Sequence, residues 1–151
     1  MNNLQSIVSH FNTKGTVNEI QPLGSGLIND TYKVTTLEAD APDYVLQRIN
    51  HAIFQNVEML QTNIEAVTRH IRKKLTEQGA DDIDRKVLSF IPVDTGKTYW
   101  YDGENYWRIM TFIPNAKTYE TVDAEYSYYA GVAFGNFQAK HLHTILCNII
   151  N

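Results

Sequence analysis

The apolar positions change period several times along the chain, and each change marks an element. Leu4, Ile7, Val8 and Phe11 fall at i, i+3, i+4 and i+7, the spacing of a short amphipathic helix over 1–11, with Gly15 beyond it as a stop. Val17, Ile20 and Leu23 outline a first strand in which Pro22 points to a sheet edge. Residues 32–36 and 44–49 are β-prone and supply two more antiparallel strands, joined by the polar connection 37–43. The period then becomes helical: Leu60, Ile64, Val67, Ile71 and Leu75 are three and four apart within 57–78. Asn56 can cap the start of that helix and Gly79 can end it. Residues 81–86 read as a charged linker, and three strands follow over 87–93, 98–101 and 105–112. Asp102-Gly103 between the last two is a strong hairpin signal. Residues 115–122 read as an irregular crossing. From Asp123 or Ala124 a second helix carries Tyr126, Tyr129, Ala130, Ala133, Phe134 and Phe137, with Gly131 and Gly135 spaced to let another helix approach. Residues 140–151 form an apolar terminus with no cover of its own.

Composition narrows the partners. At 151 residues, 43% hydrophobic and 20% charged, the chain suits one domain with a core. Seventeen acidic against 13 basic residues and no long basic run argue against a grip on a nucleic-acid backbone. The single Cys147 forms no internal disulfide, and the N-terminus lacks a basic-then-apolar leader. No apolar run approaches the roughly 20 residues of a membrane span, so the expected location is cytoplasmic, with no membrane partner. Tyr99, Trp100, Tyr101, Tyr106 and Trp107 lack surrounding Lys and Arg and read as cross-strand packing rather than base stacking.

The candidate chemistry starts at Gly24-Ser-Gly26, between the first two strands. Glycines let backbone N–H groups approach a ligand and form a concavity for phosphate oxygens. A plain hairpin turn accounts for the same residues. The dinucleotide fingerprint does not fit, because Asn29 stands for its third glycine and a strand, not a helix, follows. Gly96-Lys97-Thr98 resembles the tail of a P-loop, but Ile91 occupies the place of the required earlier glycine. The histidines are scattered, and His141 and His143 cannot share a helix face, so they read as surface residues and no metal set is assigned.

The chain resembles the aminoglycoside-phosphotransferase-like kinases, and within them the N-acetylhexosamine 1-kinase group. The resemblance is carried by Gly24-Ser-Gly-Leu-Ile-Asn-Asp-Thr-Tyr32, Tyr44-Val-Leu-Gln-Arg-Ile-Asn50 with Ile53-Phe54, Asn63-Ile-Glu-Ala-Val67, Trp107-Arg-Ile-Met-Thr-Phe-Ile113 and Ala130-Gly-Val-Ala-Phe-Gly-Asn-Phe-Gln138. It implies an α+β fold: a protein-kinase-like small lobe over 1–113, made of a twisted antiparallel sheet with one long packed helix, then a hinge crossing and the first helix of a large lobe over 114–151. It implies ATP as the nucleotide, with Gly24, Ser25 and Gly26 offering N–H groups to the phosphates and Asn29 and Thr31 steadying the loop or touching the ligand. Where such kinases present a lysine on the third strand, this chain has Gln47, and Arg48 beside it is expected on the opposite face by strand alternation. Glu65 matches the helix glutamate that pairs with that lysine; an i, i+4 pair with Arg69, worth about 0.2 to 0.5 kcal/mol, is the alternative. Met110 is implied at the back of the adenine pocket, and the backbone of Thr111, Phe112 and Ile113 as the hinge that reads the adenine edge. Ordinary sheet core accounts equally for Met110, Phe112 and Ile113.

The same resemblance places the aspartate that orients the acceptor hydroxyl, and the Mg²⁺ ligands, in a large lobe. The chain has no aspartate after Asp123, so no catalytic residue is assigned and Mg²⁺ is expected only in a two-lobed form. The implied chain is thus a truncated or frameshifted ATP-binding lobe of a sugar 1-kinase, inactive alone, with the sugar bound in the complete form. The competing expectation is a non-catalytic nucleotide-sensing or protein-interaction module. In either case a surface that a large lobe would cover is expected to favour self-association.

Overall fold

The computed structural model describes residues 4–24, 28–116, 121 and 123–149, with side chains as far as 139. Its strands are β1 Val17–Pro22, β2 Asp30–Thr36, β3 Tyr44–Ile49, β4 Phe90–Ile91, β5 Trp100–Tyr101 and β6 Tyr106–Thr111. Its helices are α1 Leu4–Val8, α2 Val57–Glu77, α3 Ile83–Lys86 and α4 Ala124–Ile149. The strands form one antiparallel six-stranded sheet in the order β1-β2-β3-β6-β4, with β5 also paired to β6, so the class is α+β. Pro22 closes β1, an edge strand, where a missing N–H breaks no interior ladder.

Two expectations change. The strand expected over 87–93 contracts to Phe90–Ile91; at its C-terminal end Pro92 has no N–H to continue the ladder. Beyond it, Val93 pairs with Phe11 in an isolated bridge and Asn12 donates to the Pro92 carbonyl at 2.9 Å. The linker 81–86 contains α3, a single turn whose start and end carry Asp84 and then Arg85 and Lys86, favourable signs for its dipole. With no apolar period, so short a helix leaves no pattern to read.

The two faces of the sheet differ. On the first, alternate residues Tyr44 and Leu46 of β3 and Trp107 and Ile109 of β6 are buried with Val34, and Val8, Phe11 and Val93 complete the apolar core. Tyr44 reaches out of that core to accept the Lys14 N–H at 2.7 Å. At the rim, Tyr101 and Tyr106 rings lie 4.6 Å apart, Trp100 stands opposite Trp107, and His10 stacks on Trp100 at 4.0 Å. These contacts absorb the aromatic run into packing.

The second face is met by α2. The Asn56 side chain caps it by accepting the Met59 N–H at 2.9 Å. At the other end Ala80 donates to Leu75 and Gly79 to Thr76, each at 3.0 Å. This Schellman closure needs the left-handed φ of 64° that Gly79 adopts. Tyr126, Tyr128, Tyr129, Val132, Phe134 and Phe137 of α4 are exposed. A Cβ added at Gly131 or Gly135 meets nothing within 4 Å, so the close helix approach expected there is not made among the described residues. Among those residues no helix is long and apolar enough to cross a membrane. The terminal side chains, with His141, His143 and Cys147, lie outside the described ones.

Candidate functional site

Because strand side chains alternate, the register Thr31↔Gln47↔Arg108 sets these three in one row across β2, β3 and β6 on the second face. Gln47 Nε2 donates to Thr31 Oγ1 at 3.1 Å, and Arg108 Nε donates to Gln47 Oε1 at 3.0 Å. Arg108 Nη1 donates to Gln61 Oε1 of α2 at 3.0 Å. Gln61, buried to 1% exposure, passes the chain on by donating from Nε2 to the carbonyl and hydroxyl oxygens of Thr98, both at 3.1 Å. The Thr98 hydroxyl in turn donates to Glu65 Oε1 at 2.5 Å. A polar line therefore runs from the strand that leaves the glycine loop, across the sheet, to the carboxylate of Glu65.

The charge on this line is poorly matched. Burial pulls the Arg108 guanidinium below its ordinary range, though an arginine stays protonated at any working pH. Its hydrogen-bond acceptors are neutral amide oxygens, and its nearest ring is Phe90, 5.6 Å away. Among the described residues it forms no ion pair. The next row on the same face is Lys33, Val45 and Met110. Lys33 is neutralised by Asp43 at 3.0 Å and lies 4.4 Å over the Phe112 ring.

The residues singled out from sequence fall into separate places. Gly24 has a φ of 70° and open space where a Cβ would stand, while Ser25 and Gly26 lie outside the described residues. Asn29 fastens the loop's exit by accepting the Asn50 N–H at 2.9 Å. Thr31 and Gln47 are in the row. Arg48 is on the first face, bound to Asp30 through Nε at 2.6 Å and through Nη2, and to Asn105 at 3.1 Å. That is the face alternation requires, and it removes Arg48 from the row. Glu65 meets Thr98, and the alternative ion pair with Arg69 is not formed among the described residues. Met110 is buried and shares the face of Arg108.

The hinge segment is less open than a strand leaving its sheet implies. Thr111 donates to Ser89 at 3.0 Å and Phe112 to Asp43 at 2.8 Å, so the first N–H free of a described partner is that of Ile113. Thr111, Phe112 and Ile113 also line a cavity of 610 Å³ with the β2–β3 connection and with Asp84 and Arg85. None of the residues of the row lines this cavity.

Arg108, Gln61, Thr98 and Lys33 were not singled out from sequence. A signal for Arg108 existed: it stands two residues before Met110 on one strand and so shares its face. Gln61 and Thr98 meet through a helix and a hairpin 37 residues apart, which no spacing encodes. No group of three His, Cys, Asp or Glu side chains suited to a metal occurs among the described residues. No protein-family model matches the chain.

Proposed function

We infer that the chain is a nucleotide-binding lobe of a kinase-like phosphotransferase, with ATP as ligand and an N-acetylhexosamine 1-kinase as the type of enzyme it serves. The observation that carries this reading is connectivity. The glycine loop joins β1 to β2, Gln47 lies on the adjoining β3, the long helix is inserted between β3 and β4, and the strand that leads to 111–113 lies next to β3. That order supports a reading in which the segment between β1 and β2, the polar row and the Ile113 N–H, free of a partner among the described residues, serve one ligand. The fit to a nucleotide rests on two features: a half-buried cation without a carboxylate, and a backbone donor without a partner among the described residues. ATP when bound would supply the phosphoryl group; the residues described here would bind and orient it. The aspartate and metal ligands that the reaction needs are not assigned to any residue of this chain, so turnover is not attributed to it.

The test is a thermal-shift titration with Mg-ATP on the wild type and Gly24→Val. Millimolar ATP is expected to raise the wild-type midpoint, because a ligand that binds only the folded state stabilises it by mass action. The valine variant is expected to lose the shift, since a β-branched residue resists the left-handed conformation of Gly24. An unmoved wild-type midpoint refutes the reading. A second reading, a protein-interaction module, draws on the exposed apolar residues of α4. Self-association without any response to nucleotide would favour it.

A further inference from the structure

We propose that Arg108 is the cation that meets the nucleotide's phosphates, taking from β6 the task that a lysine on β3 performs elsewhere, with Gln47 and Gln61 as the residues that aim it. This rests on the nucleotide-site reading above, but its own observations are independent of any family likeness. The β3 position holds a neutral amide, and its neighbour Arg48 is turned to the other face and engaged with Asp30. Of the two cations on the second face's rows, Lys33 is neutralised by Asp43, and Arg108 is not.

The aim of the side chain is set by its bonds. Nε is drawn to Gln47, which brings the guanidinium from β6 toward β3 and hence toward the strand that exits the glycine loop. Nη1 is held by Gln61, and Nη2 has no acceptor among the described residues. Both glutamine oxygens accept from Arg108, while both glutamine nitrogens are committed, to Thr31 and to Thr98. Each amide is therefore locked with its oxygen toward the arginine. Glu65 closes the line by accepting from Thr98, so it steadies the cation through two intermediates instead of neutralising it. A carboxylate in direct contact would compete with a phosphate for the guanidinium; held two side chains away, it does not. A half-buried positive charge held only by neutral acceptors is costly until an anion arrives. The guanidinium fork then offers a phosphate short, charge-assisted hydrogen bonds.

The experiment compares ATP, adenosine and tripolyphosphate by calorimetry on wild type, Arg108→Gln and Arg108→Lys, each first shown to be folded by circular dichroism. Wild type is expected to prefer ATP over adenosine. Arg108→Gln is expected to bind adenosine as the wild type does and ATP roughly 10- to 100-fold more weakly, with Arg108→Lys between them. Raising salt should erode ATP binding more steeply in wild type than in Arg108→Gln. Retention of the full ATP preference by Arg108→Gln overturns the proposal. Should Arg108→Gln not fold, Arg108→Lys decides: it keeps the charge but not the double hold on the glutamines, so its loss for ATP must exceed its loss for adenosine. Failure of the underlying reading has a different signature, in which tripolyphosphate binds in an Arg108-dependent way and adenosine does not bind. Wild type that binds none of the three overturns both.

Discussion

The two faces of this sheet are built from the same strands, yet they solve opposite problems. On the first, Leu46 and Ile109 are fully buried opposite each other in one apolar cluster with Val8 and Phe11 from the N-terminal segment, and their burial removes apolar surface from water. On the second, one residue after Leu46 on β3 and one before Ile109 on β6, Gln47 and Arg108 face each other, and α2 sets against them not a leucine but the buried Gln61. An apolar stripe there would stabilise the fold more, because buried polar groups at best recover what they lose on leaving water. The first face is organised for stability. The second carries a cost in stability, which the phosphate contact proposed above would explain.

The largest effect that separates the faces is expected at Leu46. Leu46→Ala leaves a cavity in the apolar core and should lower unfolding free energy by about 2 to 5 kcal/mol in urea denaturation. Nucleotide response, measured at a temperature where the variant is still folded, should persist, since no atom of the polar line is touched. Loss of that response in a folded Leu46→Ala would mean that the faces are coupled and the division of labour is wrong.

The contrast also explains what the sequence disclosed. Periodicity reports which side of an element is apolar, so α2, β1 to β3 and β6 were legible from spacings alone, and so was the departure of Arg48 to the first face. Caps are chemical and local, so Asn56 and Gly79 were legible too. The polar line was not. A glutamine on the apolar side of a helix reads as noise until the arginine across the sheet is seen, and an arginine in a β-strand reads as solvent-facing. α3 stayed hidden for a related reason: a turn of four residues, three of them charged around one isoleucine, has no period. The hinge misled differently, because the carbonyls of Asp43 and Ser89, just before β3 and β4, continue the pairing with β6 and take its first two N–H groups.

A smaller effect probes the second face itself. Gln61→Leu keeps bulk but strips Arg108 of one acceptor and Thr98 of its donor, and should cost about 1 to 3 kcal/mol. If the cost comes from a stranded cation, adding Arg108→Met should restore part of it, giving an interaction energy of about 0.5 to 3 kcal/mol in a double-mutant cycle. Simple additivity would show that Gln61 and Arg108 are independent packing residues, and the second face would then differ from the first only in composition.

The smallest effect lies at the rim of the first face, where a polar tether meets the apolar core. Asp102 accepts the N–H groups of Glu104 at 2.9 Å and Asn105 at 2.7 Å, and the indole N–H of Trp107 at 2.7 Å. Partial burial pushes its carboxyl up, but these three donors outweigh that and hold it below the usual carboxylate range. A depressed folded-state value adds stability that is complete above the unfolded pKa of about 3.9 and fades as pH falls through the lower, folded value. Asp102→Asn should therefore cost about 1 kcal/mol or less at neutral pH, a modest figure because the site is largely open to screening solvent. Urea midpoints of the two proteins should draw together as the pH is lowered below about 3.9. A gap that stays constant with pH would mean that neutral hydrogen bonds suffice to fix Trp107, leaving the charge of Asp102 with no part in that tether.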